Sequence, residues 1–217
     1  MVHEAIPVLT PVLPGAIYDQ LRASILSQQD APGSALTESA VALRFGVARP
    51  TARLAIERLV ADGLLRREPH HAAQVPVLSR DDIIDLFYNR ALIEIEAVTA
   101  LAGGGTVPPS AVRANRNVCI AADFAPHDID FHRALVAGQP SPRLSRMHEL
   151  LMGEIELCIG QVQSAHLISA AQVAAQHQGI LDAIAASDAI RASTLLREHI
   201  LGARDRLLAH VDRTIDG

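Results

Sequence analysis

The sequence predicts a mainly α-helical protein with an N-terminal helix-turn-helix, a small β-hairpin after it and a C-terminal all-α bundle. Three observations support this fold class. The stretch from Leu36 to Leu65 contains two short amphipathic helices around a glycine turn. Residues 64–77 have the length and position of a small hairpin, or wing. After Ser79, apolar residues recur at helical spacing, with no strand candidate and no internal repeat.

Length and composition favour two domains. We expect a flexible arm at residues 1–14, a winged helix-turn-helix DNA-binding domain at 15–78 and an all-helical domain for effector binding and dimerisation at 79–217. A hydrophobic content of 49% excludes a disordered chain, and 3% aromatic residues indicate an aliphatic helical interior. No leader or membrane span is expected, and Cys119 and Cys158 share no spacing motif, so we expect a cytoplasmic protein.

The charge is divided unequally between the predicted domains. The chain has 19 basic residues, all of them arginine, and 24 acidic residues, which gives a net charge of −5. Residues 1–75 hold seven arginines and seven acids, so the acidity belongs to the remainder. Nucleic-acid binding by the first domain should therefore depend on a few placed contacts and on dimerisation rather than on a large basic patch.

Local signals place the helices of the first domain. The domain begins with a helix predicted from Ala16 to Ser27. Thr37 is the predicted N-cap of the next helix, and Gly46 supplies the positive φ that ends it. The second helix of the pair runs from Ala48 to Leu59. The predicted apolar residues are Ala40, Val41 and Leu43 on the first of these two helices and Ala52, Ala55, Ile56 and Leu59 on the second.

Six helices are predicted in the second domain. Ser79 caps the first of them, with acidic residues in the following turn where the helix dipole favours them, and Ser187 is expected to cap the last. The helix at 143–163 has a predicted apolar stripe of Leu144, Met147, Leu151, Ile155, Ile159 and Val162. The predicted ranges are 79–102, 110–122, 126–137, 143–163, 169–186 and 188–212.

The exposed side of the second short helix has residues suited to DNA. Arg49 and Arg53 lie four positions apart, so both guanidinium groups can point into a major groove. Thr37 and Thr51 are the predicted phosphate contacts. Arginines are common on any solvated helix, but the glycine turn and the Asp-Gly-Leu-Leu after the second helix favour the DNA-binding interpretation.

Four ligand-type residues point towards the interior of the predicted bundle. Asp128 and His132 lie one turn apart on the apolar side of one helix, and His177 and His199 interrupt apolar stripes on two others. A divalent cation would satisfy a buried carboxylate and three buried imidazoles together. The alternative is a set of separate core histidines that are satisfied by hydrogen bonds. The other seven histidines, His148 among them, are expected mostly at exposed or terminal positions.

Short motifs through residues 15–78 are similar to those of a known DNA-binding domain. They are Tyr18-Asp19-Gln20-Leu21-Arg22 with Ile25, Pro32-Gly33, Leu36-Thr37-Glu38, Phe45-Gly46-Val47-Ala48-Arg49-Pro50-Thr51, Arg53, and Leu59 with Asp62-Gly63-Leu64-Leu65. This region resembles the GntR family of bacterial transcription regulators, and the resemblance implies that Arg49 and Arg53 face the operator. Ser39 stands where a further arginine is usual, and the wing tip at 68–73 lacks the usual glycine.

Residues 80–213 contain a second set of motifs: Arg90 with Glu94, Asp128-Ile129-Asp130-Phe131-His132, His177 with Ile180 and Asp182, and Arg197-Glu198-His199. This pattern resembles the FadR-type C-terminal ligand-binding domain, in the branch where one aspartate and three histidines hold a metal. The resemblance implies a small carboxylate effector oriented by the metal and clamped by Arg90. On the residues alone, Arg90 and Glu94 would equally form an ordinary helix-surface ion pair. The stretch from Gly105 to Asp128 is shorter than is usual in that domain.

Together these patterns predict a ligand-responsive, sequence-specific transcription regulator and not an enzyme. We expect a homodimer on a near-palindromic double-stranded operator, with repression favoured because it needs only occupancy. Zn²⁺ suits the imidazoles best, whereas Ni²⁺, Mn²⁺ or Fe²⁺ would suit an octahedral site. Three alternatives stay open: a metal-free regulator with a structural Asp/His cluster, a direct metal sensor, and a metallohydrolase fused to a DNA-binding headpiece. The hydrolase lacks a placed general base, because Asp130 should face away from Asp128.

Overall fold

The computed structural model describes residues 14–121 and 123–215, and they are mainly helical. The chain divides into two compact units. Among the described residues, unit 1 comprises 14–61 and 65–75, and unit 2 comprises 62–64, 76–121 and 123–215. The flexible arm predicted at residues 1–14 lies outside the described residues, apart from Pro14, which begins the first helix. The predicted class, mainly α with a small β element near the helix-turn-helix, is confirmed. No described helix has the combination of length and apolar character that crossing a membrane requires.

The described residues of unit 1 form three helices and a small antiparallel sheet. Its elements are α1 (Pro14–Leu26), β1 (Ala35–Leu36), α2 (Glu38–Phe45), α3 (Arg49–Ala61) and β2 (Ala73–Gln74). Helices α1 and α2 both pack against α3. The aliphatic core between them includes Ile17, Leu21, Ile25, Val41, Ile56 and Leu59.

Local chemistry sets the ends of α2 as the sequence predicts. The Thr37 hydroxyl oxygen accepts a hydrogen bond from the Ala40 amide at 3.1 Å, and Gly46 ends the helix in the left-handed region at φ 64°. The predicted apolar side of α2 is wrong in part, because Leu43 is 85% exposed while Val41 and Ala42 are buried. Residues two apart lie about 200° around a helix, so Val41 and Leu43 cannot share a face. The predicted buried stripe of α3 is confirmed.

The predicted hairpin forms between residues 64 and 77, and its second arm also pairs with a strand that the sequence analysis missed. Arg66 and Gln74 exchange both backbone hydrogen bonds, at 2.9 and 2.8 Å. Strand β1 pairs with β2 in antiparallel register, Ala35 opposite Gln74 and Leu36 opposite Ala73. At the hairpin tip His70 has φ 66°, so this residue adopts the left-handed conformation for which a glycine would be suited.

Unit 2 is a helical bundle in which the described residues form no strand. Its helices are α4 (Arg80–Gly103), α5 (Pro109–Ile120), α6 (Ala125–Ala137), α7 (Pro142–Ser164), α8 (Ala170–Ala185) and α9 (Ala189–Ile215). Helix α4 packs against α6, α7, α8 and α9, and this places α4 centrally in the bundle. One large core of mainly Ile, Leu, Val and Ala side chains joins the helices.

The two predicted serine caps of unit 2 have different outcomes. Ser79 forms a capping box with Asp82 at the start of α4, as the Ser-x-x-Asp spacing suggests. The prediction for Ser187 is wrong, since Ser187 lies in the left-handed region at φ 57°. The Asp188 carboxylate accepts from the Arg191 amide at 2.9 Å instead. The aspartate therefore caps α9, and Ser187 completes the turn after α8.

Candidate functional site

Four buried side chains from three helices meet inside unit 2. Asp128 and His132 come from α6, His177 from α8 and His199 from α9, and none is more than 5% exposed. Each offers one ligand atom, and these four atoms lie within 4.8 Å of one another. The structure thus brings together all four residues that the sequence pattern selected for a metal.

The distances within this group leave room for a small cation at its centre. The Nε2 atoms of His132 and His199 are 3.1 Å apart. The Oδ1 atom of Asp128 lies 3.3 Å from His177 Nε2, 4.0 Å from His132 Nε2 and 3.9 Å from His199 Nε2. Bonds of about 2.1 Å at the tetrahedral angle place ligand atoms roughly 3.4 Å apart. The observed spacing is therefore compatible with a first-row divalent ion.

The outer ring nitrogens are arranged so that the inner ones can act as ligands. His132 Nδ1 lies 2.5 Å from Glu94 Oε2, and His199 Nδ1 lies 2.8 Å from Gln176 Oε1. Because each of these oxygens accepts a hydrogen bond, the Nδ1 atoms donate and the Nε2 lone pairs face inward. The imidazole of His177 stacks on the Phe131 ring at 3.7 Å with an interplanar angle of 7°.

The donor set fits a cation better than it fits a closed hydrogen-bond network. Among the described residues, His177 Nδ1 has no hydrogen-bond partner, and Nε2 faces Asp128 Oδ1 at 3.3 Å without hydrogen-bond geometry, although the residue is fully buried. A buried polar atom without a partner costs about 1–3 kcal/mol. A cation would accept the lone pair of His177 Nε2 and would remove that cost on the inner side of the ring.

The charges of the ligand groups suit a divalent ion. Burial raises the pKa of Asp128, but the nearby imidazoles of His177, His132 and His199 together have the opposite and larger effect. The pKa of this carboxyl is therefore below its usual range. Burial lowers the pKa of His177 to about 4 against the opposing effect of Asp128. Burial together with the neighbouring histidines also holds the pKa of His199 well below its usual value. The centre therefore combines an ionised carboxylate with neutral imidazoles at His177 and His199.

A buried ion pair lies directly behind this group. From the sequence, Arg90 and Glu94 could equally form a surface pair, but in the structure they are 1% and 0% exposed. Arg90 Nε lies 2.7 Å from Glu94 Oε1. The interpretation as a surface pair is wrong, because α4 lies centrally in the bundle. The Nη2 atom of Arg90 is buried and has no hydrogen-bond partner among the described residues.

His148 is a member of the same network that the sequence analysis did not select. It is 1% exposed, and its Nε2 atom lies 3.0 Å from Glu94 Oε1. The apolar stripe predicted for α7 includes Met147, and this is wrong for Met147, which is 53% exposed. The spacing of His148 with Met152, Ile155 and Ile159 is the signal that would have found it, because all four follow a helical i, i+4, i+7, i+11 pattern.

A second candidate site is the surface of unit 1 around the start of α3. An open groove of about 690 Å³ lies here, between the first turns of α2 and α3 and the hairpin. Arg49 is exposed, and the Arg53 side chain is 61% exposed while bonding to Glu57 at 2.7 Å. The groove is lined by Leu36, Thr37, Glu38, Ser39, Arg49, Arg53, Arg67, His70, His71, Ala72 and Ala73.

Three of the four predicted DNA contacts therefore share one surface. Thr37, Arg49 and Arg53 line the groove, whereas Thr51 is half-buried in the first turn of α3 and is not part of its lining. Arg67 of the hairpin was not selected from the sequence, although the Arg66-Arg67 pair in the first arm of the hairpin is a basic signal. The groove thus places two arginines of α3 near one arginine of the hairpin.

Comparisons with known proteins agree for both units. Residues 13–75 match the family model of bacterial regulatory proteins of the gntR family, and residues 85–202 match the FCD domain model. The transcriptional regulator BphR of Paraburkholderia xenovorans (strain LB400) is 28% identical over 199 residues, which cover 85% of this chain and 81% of BphR. The transcriptional repressor GlaR of Escherichia coli (strain K12) is 27% identical over 207 residues, which cover 85% of this chain and 90% of GlaR.

Solved structures share the fold. A GntR transcriptional regulator from Rhodococcus sp. RHA1 superposes with a TM-score of 0.76 at 23% identity, covering 90% of this chain and 97% of the other. The Escherichia coli protein McbR/YncC gives a TM-score of 0.69 at 20% identity, covering 93% of this chain and 100% of the other. At these identities the likeness shows the fold alone.

Proposed function

The chain belongs to the GntR family of bacterial regulatory proteins, in the branch with an FCD domain, and we propose from this premise that it is a metal-containing repressor released by a small organic acid. Regulators of this family bind DNA and are not enzymes. The observation that carries the metal and effector parts of the proposal is the buried group of Asp128, His132, His177 and His199, together with the buried Arg90 Nη2 atom, which has no hydrogen-bond partner among the described residues.

On the DNA side, Arg49 and Arg53 would contact bases, and Thr37 and Thr51 would contact phosphates. The Thr37 hydroxyl uses its oxygen to cap α2, so its proton stays available for a phosphate oxygen. A homodimer would place two such units on the half-sites of a near-palindromic operator. The relative GlaR is a transcriptional repressor, and this likeness supports repression over activation.

On the effector side, the four ligand residues would hold Zn²⁺, with Ni²⁺, Mn²⁺ or Fe²⁺ as the alternatives for a higher coordination number. A fifth coordination position on the metal, beside the four protein ligands, would take one carboxylate oxygen of the effector. Arg90 would donate to the carboxylate through its Nη2 atom, because that donor is buried and has no partner in the part of the chain that the structure describes. For the effector to act on DNA binding, the chain must bind it with different affinity in its two functional states.

The test is the metal content of the purified full chain, measured by mass spectrometry beside His132→Ala and His177→Ala. We expect close to one metal ion per chain in the wild type and almost none in either variant. His127→Ala is the matched control, because His127 is on the same helix but is outside the group, and it should retain the metal. A wild type without metal after reconstitution would favour the metal-free regulator.

A second measurement separates a resident cofactor from a sensed metal. The metal-loaded dimer is titrated with an operator fragment in the presence and absence of a chelator and of small dicarboxylates. We expect a carboxylate to weaken operator binding while the metal stays bound. Release of the operator by metal exchange alone, without any carboxylate, would support the direct metal sensor instead.

A further inference from the structure

We propose that Glu94 is a positioning residue for the metal site, and that Arg90 and His148 hold its carboxylate in place. The inference rests on the metal-binding part of the proposed function and adds a residue to it. Glu94 belongs to α4, which provides none of the four candidate ligands, yet its fully buried carboxylate contacts one of them. None of the sequence motifs assigned it this role.

Both carboxylate oxygens of Glu94 are occupied by donors from three helices. Oε2 accepts from His132 Nδ1 on α6 at 2.5 Å. Oε1 accepts from Arg90 Nε on α4 at 2.7 Å and lies 3.0 Å from His148 Nε2 on α7. A carboxylate with three such partners has one orientation, so the oxygen that faces His132 is fixed in position.

This arrangement determines which nitrogen of His132 carries the proton. An ionised carboxylate can only accept hydrogen bonds, so His132 must donate from Nδ1. The guanidinium of Arg90, which is always charged, donates to the same carboxylate at 2.7 Å, and this contact favours the ionised, accepting form of Glu94. The Nε2 lone pair of His132 is then directed towards Asp128 and His199, where the metal would lie.

The three histidines of the group differ in their outer partners, and this explains why the contact matters. The outer nitrogen of His132 meets a charged carboxylate, that of His199 meets the neutral amide oxygen of Gln176, and that of His177 has no partner among the described residues. A negatively charged acceptor raises the basicity of the imidazole to which it bonds. Of the three imidazoles, that of His132 therefore has the most basic and best-oriented Nε2 atom for metal binding, and its contact with Glu94 is the cause.

A purely structural role for Glu94 makes a different prediction, and the chain has a matched control for it. Glu156 of α7 is also a buried carboxylate, 2% exposed, and it pairs with Arg133 at 2.7 Å. Glu156 is not a member of the metal-binding group. If burial and ion pairing were the whole role of Glu94, the same substitution at both positions would have the same effect on metal binding.

The experiment measures the metal affinity of the full chain for Zn²⁺ by chelator competition in the wild type, Glu94→Gln and Glu156→Gln. We expect Glu94→Gln to weaken Zn²⁺ binding by about 10–100-fold, the usual effect of losing a partner of a metal-bound imidazole. Glu156→Gln should stay within about 2-fold of the wild type, since its ion-pair partner Arg133 is not one of the four ligand residues. Nitrogen chemical shifts of His132 in the metal-free protein should show one tautomer in the wild type and a mixture in Glu94→Gln.

Each outcome decides the proposal. Equal affinity and an unchanged His132 tautomer in Glu94→Gln would overturn it while leaving the metal site intact. Equal losses in both glutamine variants would also overturn it, in favour of a structural role. A wild type that binds no Zn²⁺ would overturn the metal site together with this inference. Should Glu94→Gln not fold, His148→Gln replaces it, with an expected loss of about 3-fold, and an unaltered affinity there would contradict the proposal.

Discussion

The two units each contain an arginine and a glutamate four residues apart, with the same bond but in opposite surroundings. Arg53 and Glu57 of α3 are joined at 2.7 Å with side chains 61% and 42% exposed. Arg90 and Glu94 of α4 are joined at the same 2.7 Å with side chains 1% and 0% exposed. Spacing along a helix therefore predicts the ion pair, whereas its consequences depend on whether water can replace either partner.

Removing the glutamate from each pair tests whether burial determines how much the pair contributes to stability. Glu94→Ala should reduce the free energy of unfolding by about 3–5 kcal/mol, because it leaves a buried guanidinium and a buried imidazole without their acceptor. Glu57→Ala should cost about 0.5 kcal/mol or less, as for other exposed pairs on a helix. Urea denaturation of the metal-free proteins measures both values. Similar losses of stability at the two positions would contradict the expected difference between the buried and the exposed pair.

Metal removal should affect stability almost as strongly. When free metal is about 1,000 times its Kd, binding to the folded state adds roughly 4 kcal/mol, so chelation should lower the Tm clearly. His127→Ala should show the same drop, because it keeps all four ligand residues. His177→Ala should show almost no drop on chelation. Calorimetric scans with and without chelator make the comparison, and a chelator effect that survives in His177→Ala would argue against the site.

The exposed arginines should matter for DNA and hardly at all for folding. Arg53→Ala should weaken operator binding by about 1–3 kcal/mol, the value of a good base contact, and should leave the Tm nearly unchanged. Arg67→Ala should lower the slope of affinity against salt concentration by about one, if Arg67 meets a phosphate. Fluorescence anisotropy with an operator selected from random DNA measures both quantities. Loss of stability without loss of specific binding would show that Arg53 serves the fold instead.

The smallest effect is expected at the hairpin tip. His70→Gly should stabilise the protein by about 0.5 kcal/mol, because glycine adopts the observed φ of 66° without the steric cost that histidine bears. If His70 approaches a phosphate, the same change should lower operator affinity slightly. Thermal unfolding and anisotropy measure the two effects. A destabilised variant would indicate contacts of the imidazole that outweigh the backbone strain.

Features that depend on a few neighbouring residues could be predicted from the sequence. Thr37 and Ser79 cap their helices and Gly46 ends one, because each effect needs only the local chain. Strand β1 was missed, since two residues give no periodic pattern and its partner β2 lies more than 35 positions away. Ser187 was misassigned because the next residue, Asp188, is an equally good cap.

The candidate metal site was only partly predictable, because some of its residues are recognised by local helical spacing and others only by the packing of distant helices. Asp128, His132, His177 and His199 each sit on an apolar helix face, so periodicity pointed all four inward. The spacing of His148 with Met152, Ile155 and Ile159 indicates a buried position. Glu94 also points inward, but an arginine and a glutamate four residues apart are equally typical of a helix surface until the packing of α4 is known. Depth in the bundle is a property of the whole fold, and no window of sequence contains it.

Helix α6 contributes both Asp128 and His132, while α8 and α9 contribute one ligand each. A helix advances 1.5 Å per residue, so sliding or rotating α6 by even one position would displace two of four ligands at once. Bond lengths to a metal tolerate only a few tenths of an ångström. A bound metal would therefore fix the helix register. It would permit one alignment of α6 against α8 and α9, and an alignment shifted by one residue could not bind it.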